Sequence, residues 1–167
     1  MQLDIVSAFG HEDELRALFT EYTDMLVETD PNFKAYLDFQ HYDDELLGLD
    51  KKYGPPDGKL YIAYCDKEPA GCIGLKHLND EDCEMKRLYV RPKYRGHGLS
   101  KKLIDLIIKD AREIGYKRMR LDTLPPLKSA IHIYKSLGFY ETGAYIDSPM
   151  EDSIYMCLEL VPDHEDP

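Results

Sequence analysis

Residues 86–102 read Lys86-Arg87-Leu88-Tyr89-Val90-Arg91-Pro92-Lys93-Tyr94-Arg95-Gly96-His97-Gly98-Leu99-Ser100-Lys101-Lys102. A strand-like run ends at Pro92, two glycines follow within Arg95–Ser100, and apolar residues then recur at helical spacing. The pattern predicts strand, loop and helix in that order. The stretch holds seven cations and no acid. Glycines let a backbone approach a ligand, and the start of the next helix offers free N–H groups and the positive end of its dipole. That is the physics of a pyrophosphate cradle. A glycine turn beside a solvated basic face has the same composition, and on these residues alone both readings stand.

Two familiar cradles do not fit. A Walker loop needs G-x-x-x-x-G-K-[ST], and the chain has no such run. A dinucleotide fingerprint needs a third glycine, but Gly96-x-Gly98 is followed by Lys101 at that position.

The flanks set the architecture. Leu60–Cys65, Ala70–Leu78 and Cys83–Val90 read as three strands joined by short turns, an antiparallel meander. Ser100–Ile114 is an amphipathic helix with Leu103, Ile104, Ile107, Ile108 and Ala111 on one face, stopped by Gly115. Arg118–Thr123 is a strand, Lys128–Leu137 a helix, and Phe139–Tyr145 and Ile154–Leu160 two more strands. Upstream, Leu3–Ala8 is a short strand, followed by helical spacing from His11 to about Asp30 and over residues 32–48. A strand–helix–strand crossover joins parallel neighbours, so the expected fold is α/β with a mixed sheet. The tail Pro162–Pro167 is expected to be disordered.

The chain has 167 residues and a net charge of −11. Residues 1–50 carry 13 acids and two bases, a net −11, while 51–167 carry 19 of each. A chain this acidic is a poor candidate for gripping nucleic acid, and its first third should favour cationic partners. It has no apolar run long enough for a bilayer. Its N-terminus lacks the basic start and apolar block of a signal peptide, so a cytoplasmic protein is expected. Cys65, Cys72, Cys83 and Cys157 form no C-x-x-C pair and read as buried reduced thiols. The six histidines show no ligand spacing, and no metal is expected.

Taken together the motifs resemble the GNAT superfamily of N-acetyltransferases. Arg95-Gly96-His97-Gly98-Leu99-Ser100 is similar to that family's [RQ]-x-x-G-x-[GA] loop, departing only in a small serine at the last place. Leu88-Tyr89-Val90-Arg91-Pro92 looks like the family's fourth strand and its exit. Ala130-x-x-x-Tyr134-x-x-x-Gly138-Phe139 resembles its later helix-to-strand element. Glu84–Val90 and Leu121-Asp122-Thr123 look like a subgroup of small bacterial members. Residues 58–160 carry the resemblance, and 1–57 share only the order of elements. The family's asparagine three residues before Ala130 is here Leu127, which puts one polar contact in doubt.

The resemblance implies a single domain over 1–167, with a mostly antiparallel sheet flanked by helices. Residues 1–57 would form the strand and helical acceptor side, 58–160 the acetyl-CoA-binding core and 161–167 the tail. It implies acetyl transfer from acetyl-CoA to a primary amine, on a small molecule or a peptide, by direct attack in a ternary complex. The Arg95–Ser100 loop would hold the pyrophosphate, with Lys101 or Lys102 nearby and His97 contributing its backbone. A backbone N–H near Leu88, at a bulge that the family usually has in this strand and that would re-aim Glu84, would meet the oxyanion, and Tyr89 and Val90 would pair with the pantetheine. Glu84 falls where the family often places a catalytic glutamate, and Tyr134 where it places an acid. A strand glutamate paired with Lys86 or Arg87, and a core tyrosine, are the plain alternatives. Phe39, Asp43 and Asp44 lie in the segment that usually meets the acceptor; a solvated acidic helix face reads the same way. Homodimers are common in the family, so a dimer is open. A non-catalytic CoA-binding module on the same fold is the alternative function, and a domain for some other phosphate ligand is a third.

Overall fold

A computed structural model describes residues 1–160; the expected disordered tail lies outside the described residues. The strands are β1 (Leu3–Ser7), β2 (Lys59–Cys65), β3 (Glu68–His77), β4 (Asp82–Val90), β5 (Arg118–Thr123), β6 (Tyr140–Thr142) and β7 (Ile154–Glu159). The helices are α1 (Glu12–Thr29), α2 (Phe33–Phe39), α3 (Tyr42–Leu47), α4 (Leu49–Tyr53), α5 (Leu99–Ile114) and α6 (Lys128–Ser136). One seven-stranded sheet runs β1-β2-β3-β4-β5-β7-β6. Every neighbour is antiparallel except β4 and β5, which are parallel across the α5 crossover.

Period-two alternation sorts side chains to the two faces of the sheet. In β2, Leu60 and Ile62 face α1, where they meet Leu15, Leu18 and Phe19. Ala63 and Cys65 face α5, where they join Leu103, Ile104 and Ile107. Those three α5 side chains are fully buried, and each contributes roughly 1.5–3 kcal/mol by leaving water. All four cysteines are buried and unbridged.

In β4 the alternation is broken. Cys72 pairs with Tyr89 and Gly74 with Lys86, so one residue of β3 faces two of β4. The extra residue is a β-bulge at Arg87, whose φ is +58°. Before it, Cys83 and Met85 pack with α5; after it, Leu88 and Val90 do, and Tyr89 turns to the α1 side. Plain alternation would put Glu84, Lys86, Leu88 and Val90 on one face. The bulge separates the first two from the last two.

The helical spacing of 32–48 resolves into separate helices rather than one. His41 sits in the left-handed region at φ 55°, and the chain turns there between α2 and α3. The turn buries Glu45 and leaves Asp43 and Asp44 exposed. The expected strand Phe139–Tyr145 pairs with β7 only from Tyr140 to Thr142. Tyr145 leaves the sheet edge because its hydroxyl donates to Glu84 Oε2 at 2.5 Å. Among the described residues, no helix is long and apolar enough to cross a membrane, and no cluster of three His, Cys, Asp or Glu could hold a metal.

Candidate active site

Among the described residues the one parallel pair in the sheet is a short seam of three registered pairs. β4 and β5 pair at Asp82 with Arg118, Cys83 with Met119 and Glu84 with Arg120. Beyond that both strands continue unpaired with each other, β4 to Val90 and β5 to Thr123. They splay into a wedge. A cavity of about 50 Å³ occupies it, lined by Met85–Leu88 of β4, Leu121–Thr123 of β5 and Tyr134 of α6. Tyr22, Phe33, Tyr36 and Gln40 close it from α1 and α2.

Three buried charge groups surround this cavity. In the first, the positive φ of Arg87 throws its side chain under α3. Its Nε and Nη2 donate to the two oxygens of Glu45 at 2.9 and 2.8 Å, and Nη2 also donates to Gln40 Oε1 at 2.8 Å. Lys52 pairs with the same carboxylate, and Tyr53 donates to it at 3.0 Å. Burial alone would raise Glu45, but Arg87 and then Lys52 overcome it and hold the carboxyl down to about 2. Burial pulls Lys52 down to about 8, with repulsion from Lys86 helping and Glu45 opposing.

In the second group, Lys86 Nζ stands 3.7 Å from Glu84 Oε1, both side chains almost wholly buried. Burial lowers the Lys86 ammonium, against the attraction of Glu84. In the third, Tyr36 donates to Asp122 Oδ2. Burial raises the Asp122 carboxyl above its ordinary range, against the pull of Lys86 and the Tyr36 hydroxyl. Tyr134 is buried too, and burial raises its phenol above the ordinary 10. Among the described residues its hydroxyl has no hydrogen-bond partner, and it borders the cavity.

The glycine loop stands at the exit of β4, after a 3₁₀ turn at Pro92–Tyr94. Gly96 and Gly98 have φ of +83° and +77°, with no atom within 4 Å of where a Cβ would sit. Backbone handedness, not crowding, requires glycine there. Gly98 caps α5 with no side-chain hydrogen bond, and the first turn holds no acid. The first N–H groups of α5 are therefore free for an anion, which fits a pyrophosphate. Gly96, His97 and Gly98 are exposed, Ser100 is half-buried, and Leu99 is buried among the core residues. Lys101 pairs with Asp105 at 3.0 Å on the exposed side of α5. Arg95 is turned back along β4: its Nε donates to the Val90 carbonyl at 2.9 Å, and its guanidinium lies 5.9 Å from the Tyr89 ring.

Of the residues singled out from sequence, Leu88 and Tyr134 line the cavity. Tyr89 and Val90 follow on the splayed end of β4. Glu84 stands at the closed end of the wedge, behind Lys86 and outside the lining. Phe39, Asp43 and Asp44 are exposed and outside it as well. Leu127, at the place of the missing asparagine, lines the cavity as an apolar wall. Asp122, Lys86, Tyr36 and Tyr145 were not assigned roles. In β5, Met119, Leu121 and Thr123 are buried, so parity alone sends Asp122 to the face of Glu84 and Lys86. Tyr145 had no comparable cue, because it arrives from an irregular loop 61 residues away from Glu84.

Comparison with known proteins agrees with this geometry. The family model described as Acetyltransferase (GNAT) family matches residues 14–139. An uncharacterized N-acetyltransferase of Schizosaccharomyces pombe is 39% identical over 150 residues, covering 89% of this chain and 88% of that protein. A GNAT-family acetyltransferase of Staphylococcus aureus superposes with a TM-score of 0.77 at 21% identity, covering 96% of this chain and 100% of that one. The PaiA N-acetyltransferase of Thermoplasma acidophilum, solved with coenzyme A, gives 0.71 at 17% identity, over 95% and 99% of the two chains. With the family model spanning the α1-to-α6 body that builds the wedge and the glycine loop, the chain belongs to the GNAT family of N-acetyltransferases and is an acyltransferase.

Proposed function

We propose that the protein transfers an acetyl group from acetyl-CoA to a primary amine by direct attack, with both substrates held in the β4–β5 wedge. The observation that carries this reading is the meeting of a free-standing phenol, Tyr134, and a carboxylate, Asp122, on one buried cavity. The coenzyme A held by the Thermoplasma acidophilum relative supports the choice of cosubstrate. When bound, acetyl-CoA supplies the activated acetyl carbon. Residues Arg95–Ser100 and the start of α5 hold its diphosphate. Backbone groups of Leu88, Tyr89 and Val90, which have no β5 partner, align the chain behind it and meet the carbonyl oxygen.

Asp122 borders the cavity and accepts the amine's proton, held in orientation by Tyr36. Glu84 reaches the cavity only through its contacts with Lys86 and Tyr145, so its part is to position them. Tyr134 keeps its proton because burial raises its phenol, and it gives that proton to the leaving thiolate. No cysteine is needed as a nucleophile: burial raises the Cys72 and Cys83 thiols, which disfavours thiolate. Four buried, unbridged cysteines also support a cytoplasmic setting.

Calorimetry with acetyl-CoA, against ATP and NADP, tests the cosubstrate. The wild type is expected to bind acetyl-CoA selectively. Gly98→Asp forces a left-handed φ on a side chain, a strain of roughly 1–2 kcal/mol, and adds a carboxylate at the anion site. Its Kd should rise by at least about tenfold. Equal binding by wild type and variant would remove the loop from the site. Binding without thiol release on any amine would show a CoA-sensing module instead.

A further inference from the structure

Two of the side chains that line the cavity, Lys86 and Gln40, bring N–H donors that no acceptor among the described residues takes up. Lys86 has three N–H donors; its nearest carboxylate oxygen, Glu84 Oε1, is 3.7 Å away, beyond hydrogen-bond length, and Asp122 attracts it without a hydrogen bond. The other oxygen of Glu84 is taken by Tyr145. Among the described residues, no acceptor lies within hydrogen-bond distance of Lys86 Nζ. Among the described residues the one fully enclosed side-chain polar atom without a partner is the Tyr42 hydroxyl; Lys86 Nζ is not sealed in, and the Lys86 side chain lines the cavity.

Gln40 is the second such side chain. Its carbonyl oxygen accepts from Arg87, a group that can only donate. That leaves the Gln40 amide N–H pair as donors beside the same cavity. The carboxylate on the lining is Asp122, with one oxygen engaged by Tyr36 and the other free for an amine. The exposed Asp43 and Asp44, which would have drawn a cationic acceptor, do not reach this space. An acceptor that displaces water here must bring hydrogen-bond acceptors of its own, since a buried ammonium left unmet is costly.

Resting on the transferase reading above, we propose that the acceptor is an amino-acid-like molecule with a carboxylate beside its primary amine, and that Lys86 binds that carboxylate. Asp122 then faces the amine and Lys86 the carboxylate, so the two charges of one small zwitterion meet their complements across the wedge. The reaction itself is unchanged: the amine nitrogen gains the acetyl group and loses its proton to Asp122, and the thiol leaves with the proton of Tyr134.

The test is a matched panel of α-amino acids with small, apolar and aromatic side chains. Each is compared with its carboxamide and with its decarboxylated amine, in wild type and in Lys86→Met. The readout is the ratio of kcat/KM for acid over carboxamide, which cancels any loss of folded enzyme in the variant. The wild-type ratio is expected to be at least about tenfold, the scale of a buried charge-assisted hydrogen bond. Lys86→Met should bring it near one, and acetyl-CoA binding by calorimetry serves as the control for fold. Equal use of acid, amide and amine by the wild type would overturn the proposal. So would a ratio unchanged in Lys86→Met, the result of a purely structural lysine, or turnover confined to amines without a carboxylate. Binding of acetyl-CoA with no acid consumed would overturn it as well, whereas failure of the wild type to bind acetyl-CoA would overturn the transferase reading beneath it.

Discussion

Tyr134→Phe is expected to lower kcat by roughly 10²–10³-fold, within the range for loss of a general acid, and to leave the Kd for acetyl-CoA nearly unchanged. The two side chains differ by one hydroxyl. That hydroxyl makes no hydrogen bond to the described residues, so its removal orphans no protein group. The ring keeps its contact with Phe139, 5.7 Å away between centroids. Folding stability should therefore hold, and any loss must come from chemistry. Single-turnover kinetics beside calorimetry separate the two. A kcat equal to wild type would return Tyr134 to the core and leave water to protonate the thiolate. Because burial raises this phenol above its ordinary 10, no alkaline limb from it should appear in kcat below about pH 10.

The second large effect is on stability. Glu45→Ala should lower unfolding free energy by about 3–5 kcal/mol, because it strands the Arg87 guanidinium in the interior. For a chain of this size that is a fall in Tm of roughly 8–15 °C. The double variant Glu45→Met with Arg87→Met should recover much of the loss, since a buried pair is worth little against apolar groups of similar volume. The same pair makes stability depend on acid. Glu45 sits at about 2 when folded and near 4.5 when not. Its contribution, about 3 kcal/mol, is therefore complete above pH 4.5 and is lost as pH falls from 4.5 through 2. Urea unfolding at pH 6 and pH 3 reads this directly. The difference between the two should shrink in the double variant, and an unchanged difference would place the acid sensitivity elsewhere.

Local patterns and tertiary events were legible in the sequence to different degrees. The α5 stripe, the β2–β4 meander and the parity of β5 are set by residues adjacent in the chain, and they fell close to their expected bounds. The glycine loop was legible because handedness and a free helix start are written in a handful of consecutive residues. A bulge near Leu88 was expected from the resemblance alone; its place at Arg87 shows only against the partner strand β3. That single residue decides which of Glu84, Lys86 and Leu88 face the cavity. The acidic run Asp43-Asp44-Glu45 looked uniform, yet the left-handed turn at His41 buries only its last member. Likewise the direction of Arg95, whose Nε donates to the Val90 carbonyl, depends on how the loop folds back.

The chain leaves the sheet at the end of β1 and returns at β2, its immediate antiparallel neighbour, with Ser7 opposite Tyr61. Everything from α1 to α4 is thus one excursion that begins and ends at nearly the same place. Such an insert can be exchanged in evolution, or by an engineer, without rethreading the strands that carry the glycine loop. The condition is chemical rather than topological. While Arg87 and Arg91 are kept, any replacement must deliver a carboxylate beneath the bulge for Arg87, as Glu45 does, and another for Arg91, as Glu21 does. A transplanted segment lacking the first would lose about as much stability as Glu45→Ala, which makes the partner of Arg87 the first position to fix when this segment is exchanged.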